Sequence, residues 1–581
     1  MATLKAAMAE LDHVAYVYKD YGDGLNLYTQ RAWMGSHYPD ESLGESPPDA
    51  LDEQAEPFSG VTSVHARIDL KRFGWGGWQF QIGALDRGET VPELNFGDQA
   101  PGFDLSGAAR LTFQARGTPG ALVDFSVGGL GRWGGVFPGQ PYHDTLIRHD
   151  LRVRLADEWT SYEIDLTGAD LRQVGAGFAL SAGSGNRVRG LAAVDVYVDE
   201  IRFEWDLPGL RPLWLRSYTP QPPTAPGAFI NNFSFVYDQA MAIIALTEAG
   251  ELHRARQLAD AVVWAQAHER TYQDGRIRNA YANGAGISPP GWQSGQGEMY
   301  VPSPGYYVDG VWLEDYYADS TSTGVAAWVI LALTRLYADL PGHSGYRDTA
   351  LRLGRWVLDR QAEHGFTGGP EGFDGAQTEA TYASTEHNAD LVTAFARLAA
   401  VAPDAAEAAR FEAASRHAAD FVRSMLVTGD GAPYFATGTQ ADGVTPNTEV
   451  IPLDTQTWTL LALGPDTVPE AAAIMAGLER FAIPGGGYDF NTDCDGAWLE
   501  GTGQVAVLRQ VMSDPGAAAD LAYIDSQRLA DGFIPSAAVD GITTGFDVSG
   551  LDMPWVYSHR GHVGATAWAA LAEMGVNPLA P

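Results

Sequence analysis

Along the C-terminal two-thirds of the chain long apolar runs recur, and six times such a run opens with a short polar signature. The openings are Tyr237-Asp238-Gln239 before AMAIIAL, Asp319 to Thr323 before GVAAWVILAL, and Ser384-Thr385-Glu386-His387-Asn388 before ADLVTAFARLAA. They continue with Asp454-Thr455-Gln456-Thr457 before WTLLAL, Glu500 to Gln504 before VAVLRQV, and Tyr557 to His562 before VGATAWAALAEM. Between most of them lies a run with one polar face, such as HRARQLADAVVWAQ, YRDTALRLGRWVLDRQ or EAARFEAASRHAADFVRSML. A helix that is apolar on nearly every side must be buried all round, whereas one with a polar face covers it from outside. Six of the first kind alternating with six of the second predict an inner and an outer ring, the pattern of an (α/α)6 barrel. Ser, Thr and Asp at the openings are preferred N-caps, and carboxylates there suit the positive helix end. Capping leaves unexplained Glu386 with Asp390, one turn apart on one face, and the His, Asn, Gln and Trp residues beside the acids. Inner helices that all start at one end of the ring bring these groups together in one mouth, as ligand sites do.

Up to about Asp206 the pattern is different. Short alternating or β-rich runs recur, among them HVAYVYK, SVHARIDL, GWQFQIGAL, ARLTFQARG, ALVDFSVGG, TSYEIDL and VDVYVDEIRFEW, separated by Gly, Pro and Asp. That is the signature of an antiparallel β-sandwich. The proline-bearing stretch LPGLRPLWLRSYTPQPPTAPGAF then reads as a spacer. The expected organisation is multidomain: a β-sandwich over 10–206, a linker over 207–230 and an all-α domain over 231–581.

Composition narrows the partners. The 581 residues carry a formal charge of -36, with pI near 4.5, which speaks against nucleic acid or an anionic membrane surface. Lysine occurs only at Lys5, Lys19 and Lys71, so the helical region has no Schiff-base lysine and no P-loop. Cys494 is the single cysteine, which rules out an internal disulfide and a cysteine-cluster zinc site. No apolar run approaches the length of a membrane span. The N-terminus lacks the basic and apolar blocks of a secretory signal. A cytoplasmic protein is expected, or a secreted or periplasmic one whose signal has been removed. The oligomeric state is left open.

Asp104 to Ala108, Arg110 to Gly117 and the closing VDVYVDEIRFEW resemble the jelly-roll carbohydrate-binding modules of bacterial polysaccharide-degrading enzymes. Such modules stack sugars on exposed aromatic rings, which makes Trp75, Trp78 and Trp133 candidates, although Trp is also ordinary core material. The helical region, through Ser384 to Asp390, Trp498 to Gln504 and Tyr306 to Asp315, resembles (α/α)6-barrel carbohydrate-active enzymes, including inverting glycoside hydrolases such as endo-β-1,2-glucanases. The resemblance implies architecture and reaction class, and the acids that dominate the expected mouth, which would repel a polyanion, favour a neutral, glucan-like poly- or oligosaccharide as substrate.

Glycoside hydrolysis needs one carboxylic acid to protonate the leaving oxygen and one carboxylate to activate water or attack the anomeric carbon. Glu386 is the expected general acid and Glu500 or Asp454 the base, with Asp390 placed to raise the Glu386 pKa by like-charge repulsion. Tyr237, Trp312, Trp458, Trp498 and Tyr557 are expected stacking surfaces. Asp238, Glu314, Asp315, His387, Asn388, Gln456, Gln504 and His559 are expected to meet sugar hydroxyls. No cofactor is expected. Asn491 to Gly496 resembles half a calcium loop, but Thr502 stands where the closing Glu belongs, and a His559–His562 metal pair lacks a completing ligand. A lyase or epimerase would instead centre on His387, Tyr557 and His559, with Arg278 or Arg560 for a uronate carboxylate. A non-catalytic glycan-binding protein would keep the aromatics without needing convergent acids.

Overall fold

Alternating burial along β6 (Arg110–Gly117) and β11 (Ala193–Glu204) buries one side of each strand, the period-two signature of a strand with one core face. The computed structural model describes residues 1–12, 14–19, 26–35, 51–53, 57–60, 62–70, 74–81, 95–98, 102–103, 105–131, 140–206, 212–221, 227, 230–231, 233–283, 304–308, 311–429, 431–547 and 553–580. Of these, 9–12, 29–35, 51–53, 305–308 and 311–313 are described by backbone alone.

Two antiparallel sheets form the N-terminal part. One has the order β3 (Leu51–Glu53), β4 (Ser63–Asp69), β11, β6, β9 (Thr160–Asp165), with β1 (Val14–Tyr18) also paired to β11. The other runs β2 (Thr29–Gly35), β5 (Gly76–Gln81), β10 (Ala176–Ala182), β7 (Leu122–Val127), β8 (His149–Arg154). The sheets face each other over one core, in which Phe113 of β6 meets Phe125 of β7 at 4.6 Å and Phe178 of β10 at 5.0 Å between ring centroids. Trp78 belongs to that core, 5 % exposed, and is no sugar platform; Trp75 is 44 % exposed, and Trp133 lies outside the described residues.

Helices build the rest. α2 (Val236–Glu248), α4 (Thr323–Asp339), α6 (Thr385–Val401), α8 (Leu453–Leu463), α10 (Leu499–Val511) and α12 (Val563–Met574) each pack on the next, and α12 packs back on α2, closing a ring. Outside it lie α3 (Leu252–Ala267), α5 (Ser344–Leu358), α7 (Ala405–Ser424), α9 (Ala471–Gly477) and α11 (Ala517–Ser526). The N-terminal helix α1 (Ala2–Asp12) packs on α12 and pairs Lys5 with Glu251 just ahead of α3. Its Leu4 and Met8 sink into the helical core, although the stretch precedes the β-rich region in sequence. Among the described residues no helix is long and apolar enough to cross a membrane.

A repeated clamp fixes the register of the ring. The fourth residue of five inner helices holds the backbone of a preceding loop segment. Gln239 bonds both the N–H and the C=O of Leu215 at 2.9 and 2.7 Å, Asn388 does so to Phe366 at 2.8 and 3.0 Å, and Gln456 to Phe435 at 2.8 and 2.9 Å. Thr502 and Thr566 accept from the N–H groups of Tyr488 and Ile534 at 3.1 and 3.0 Å. Buried loop backbone must find partners, and these side chains supply them. Asn388 and Gln456, expected to meet substrate, have their amides committed to this task.

Candidate active site

The clamp places equivalent residues at equivalent heights. The second residues of the six inner helices are Tyr237, Gly324, Glu386, Asp454, Glu500 and Gly564, so three consecutive helices each bring one acid to the same level. The acids sit inside the first helical turn and not ahead of it. Ser322, Ser384 and His562 are the capping side chains, whereas Pro452 and Trp498 precede Asp454 and Glu500 without a side-chain cap. Asp454 and Glu500 are 5 % and 4 % exposed, and Glu386 is partly exposed.

All three carboxyls are raised, but by different neighbours. Burial, reinforced by the charges of Asp454 and Glu500, holds the Glu386 carboxyl well above the usual range. Burial also lifts Glu500, but His562 and the Tyr237 hydroxyl oppose it, leaving it at about 7. Asp454 is raised by burial to about 7, against the Thr455 N–H that donates to its Oδ1 at 2.6 Å. Tyr237 is oriented by the Trp568 indole N–H, 2.8 Å from its oxygen, and donates to Glu500 Oε1 at 2.6 Å. That bond spans from α2 to α10 across α12, where the second residue is Gly564 and leaves the space open.

One turn deeper, the sixth residues Met241, Trp328, Asp390, Trp458, Gln504 and Trp568 form a buried floor. Trp328 and Trp458 meet edge to face at 5.0 Å, and Trp458 stacks on Trp568 at 6.3 Å. Trp458, expected as a stacking surface, therefore lies within the floor at 3 % exposure, and Gln504 accepts a bond from Thr457 Oγ1 at 2.9 Å. Asp390 is fully buried without a hydrogen-bond partner of normal length among the described residues. Burial first, then Glu386 and Asp454, push its pKa well up, so it is a neutral acid and not the charge expected to act on Glu386.

Other expected contacts have different work. Glu314 is held by Arg270 at 2.5 and 2.8 Å, within a buried network in which Arg270 and Arg278 share Asp319 and Asp374, and Arg278 also holds Glu269. Asp315 caps the short helix Tyr316–Asp319 by accepting from Ala318 at 2.8 Å. Trp498 is 2 % exposed and stacks on partly exposed Tyr557 at 5.6 Å. His387 faces Thr323 Oγ1 at 3.1 Å, and burial lowers its pKa to about 4. His559 is exposed with Nδ1 against the Ala537 carbonyl at 3.0 Å, so it shares no metal with buried His562. The Trp312 side chain lies outside the described residues; its backbone pairs with Tyr307 in a hairpin. Arg560 is buried against the carbonyls of Thr219 and Gly227 and the Asn231 side chain.

In the calcium-like loop, Asp489, Asp493 and Asp495 bring oxygens within 4.8 Å of one another, but they already receive N–H and O–H donors from Phe490, Asp495 and Thr543. Sequence reasoning missed His562 as a partner of the acids and Tyr218 beside it, and it expected Asp238 to meet sugar hydroxyls where the structure sets it against His562 at 3.2 Å. Aligning the six helices on their fourth residues would have exposed Gly564 in the column that holds Glu386, Asp454 and Glu500.

No protein-family model matches the chain, and no curated protein sequence does. Among solved structures, a glycosidase in complex with glucose is similar at 13 % identity, TM-score 0.42, over 63 % of this chain and 93 % of that one. A bacterial glucoamylase complexed with acarbose is similar at 10 % identity, TM-score 0.45, over 92 % and 87 %. An alpha-amylase from Clostridium perfringens is similar at 10 % identity, TM-score 0.42, over 62 % and 91 %. Each of these scores is below 0.5.

Proposed function

We propose that the chain is a glycoside hydrolase on an (α/α)6 barrel, cleaving a neutral, glucan-like saccharide with inversion. The observation that carries this reading is the set of Glu386, Asp454 and Glu500 at one level of the ring, where Glu386 and Glu500 are both raised but only Glu500 is held back by a histidine and a phenol hydroxyl. Glu386, raised by burial and by the charges of Asp454 and Glu500, stays protonated and gives its proton to the leaving oxygen. Glu500, with a histidine and a phenol O–H turned to it, is the carboxylate that takes a proton from water as that water attacks the anomeric carbon. Asp454 contributes its charge to the raised pKa of Glu386. Proton exchange with solvent then resets both groups.

A lyase or epimerase is disfavoured by the same geometry. His387 is too weak a base at about 4, burial raises Tyr557 well above its ordinary value, and Arg278 and Arg560 are occupied. In the β-sheet domain, the resemblance to jelly-roll binding modules leaves Trp75 as the described ring for glycan stacking.

The test is product analysis on a panel of neutral glucans and uronate polysaccharides. Fragments that have gained water, with proton NMR showing the inverted anomer first, support the reading. Unsaturated uronate fragments overturn it in favour of a lyase. Glycan binding with no turnover of any glycan, unchanged in Glu386→Gln and Glu500→Gln, would leave a binding protein.

A further inference from the structure

His562 lies between two buried carboxylates that belong to different helices. Its Nε2 is 3.2 Å from Asp238 Oδ1 on α2, and its Nδ1 is 3.7 Å from Glu500 Oε2 on α10. The ring stacks on Tyr218 at 4.4 Å and 17°. Histidine and both acids are at most 5 % exposed, so little water reaches the charges. The approach depends on Gly564: a Cβ there would lie 2.7 Å from Asp238 Oδ1, 2.8 Å from Glu500 Oε2 and 2.8 Å from His562 Cε1.

We propose that His562 is a positioning residue whose imidazolium, anchored by Asp238, holds Glu500 as a carboxylate. Two requirements compete for Nδ1. The Ala565 N–H, 3.3 Å away, calls for a lone pair at the helix N-cap, whereas Glu500 calls for a proton. Glu500, at 3.7 Å, acts on the ring through charge and not through a hydrogen bond, and leaving two buried carboxylates without a cation costs more than the weak 3.3 Å cap bond, so the proton prevails. The other groups around His562 are Tyr218 and Arg560, and those facing Glu500 are Tyr237, Asp238, Asp454, Glu386, Tyr218 and Tyr557. Arg560 opposes the charge on His562, and burial opposes it more, yet Asp238 and Glu500 outweigh both and raise the histidine. The arrangement gives the two proposed catalytic acids different neighbours: Glu500 has a cation, and Glu386 has none among the described residues.

The role rests on the hydrolase reading, but its test does not need turnover. Carboxyl carbon NMR of glutamate-labelled protein follows the Glu500 titration directly, assigned by its loss in Glu500→Gln. Asp238→Asn removes the anchor, and His562→Asn keeps a cap acceptor while removing the cation. In His562→Asn, Glu500 is expected to titrate at least about one pH unit higher, a tenfold change in proton affinity, and in Asp238→Asn to rise by less, because that variant also removes a charge that raises Glu500. On a hydrolysed glycan, the acid limb of kcat/KM moves up by the same amount while the alkaline limb stays. An unmoved Glu500 titration in both folded variants overturns the proposal, as does an activity loss uniform at every pH. Wild-type protein without turnover, but with the NMR shift in the variants, sinks the hydrolase reading and leaves the His562 proposal standing.

Discussion

Gly564→Ala sets two effects of known sign against each other. Gly564 is the second residue of α12, and within a helix an added methyl ordinarily stabilises by about 1 kcal/mol. Here the methyl enters a space already bounded by Asp238 Oδ1 at 2.7 Å, and ordinary contact begins at 3.4 Å, so the carboxylate must retreat by about 0.7 Å. Glu500 Oε2 and His562 Cε1, each 2.8 Å from the added atom, must retreat almost as far. Overpacking of this kind costs about 1–3 kcal/mol, which exceeds the propensity gain. Displacing a reacting group by about 1 Å costs roughly 10²-fold in rate, so a loss of about 30- to 100-fold in kcat is expected alongside a lowered Tm. Gly345→Ala in α5 is the control, because its Cβ would meet only a Val263 methyl at 3.9 Å and should raise Tm. Calorimetry on both variants with kcat on a hydrolysed glycan decides. If Gly564→Ala gained stability like Gly345→Ala and kept full kcat, the proposed crowding of His562 and the acids would be wrong.

Other outcomes follow from the same geometry. Glu386→Gln and Glu500→Gln should each lower kcat by about 10³-fold or more while calorimetry still detects oligosaccharide binding. With Glu500 at about 7, kcat/KM should fall on the acid side through pH 7, and the alkaline limb should report Glu386, which burial and its acid neighbours push well above its ordinary range. Gln456→Ala strips two bonds from buried Phe435 backbone and should cost about 2–4 kcal/mol in denaturant unfolding with KM unchanged, the opposite of a substrate contact. Asp199, Asp454, Asp489 and Glu500 are raised by burial to about 7, so the folded state binds more protons than the unfolded one between about pH 4 and 7. Stability therefore falls as pH rises through that window, and Tm should be higher at pH 6 than at pH 8. The depressed carboxylates of Asp274, Asp374 and Asp493 stay ionised across that interval and leave the sign unchanged.

Periodicity made the alternation of buried and covering helices legible, because burial on all sides leaves a continuous apolar run such as GVAAWVILAL. It did not reveal that α1 packs with the helices, since an 11-residue helix separated from them by the β-rich region carries no local mark of its destination. The acids stood out as types. Their sorting did not, because Glu314 and Glu500 look alike in sequence, and only the arrival of Arg270 distinguishes the paired carboxylate from the one left to chemistry. Asn388 and Gln456 misled for a related reason: an amide beside an acid reads as a sugar contact, while its partner here is loop backbone far along the chain. Tryptophans were hard to sort because an indole fits both a sugar face and a packed floor.

The fourth-residue clamp has a consequence for how such a ring can change. By fastening five of the six inner helices to the loops before them, the clamp fixes the direction of the second residue without involving that residue. The six second positions thus behave as interchangeable sockets around one opening, each free to accept a new side chain while the frame stays in register. Three hold acids, one a phenol, and two are glycines: His387 occupies the volume a side chain at Gly324 would need, and Asp238, Glu500 and His562 together occupy that at Gly564. A new reactive group at Gly324 would have to arrive together with a smaller residue in place of His387, whereas one at Gly564 would have to displace the acids as well.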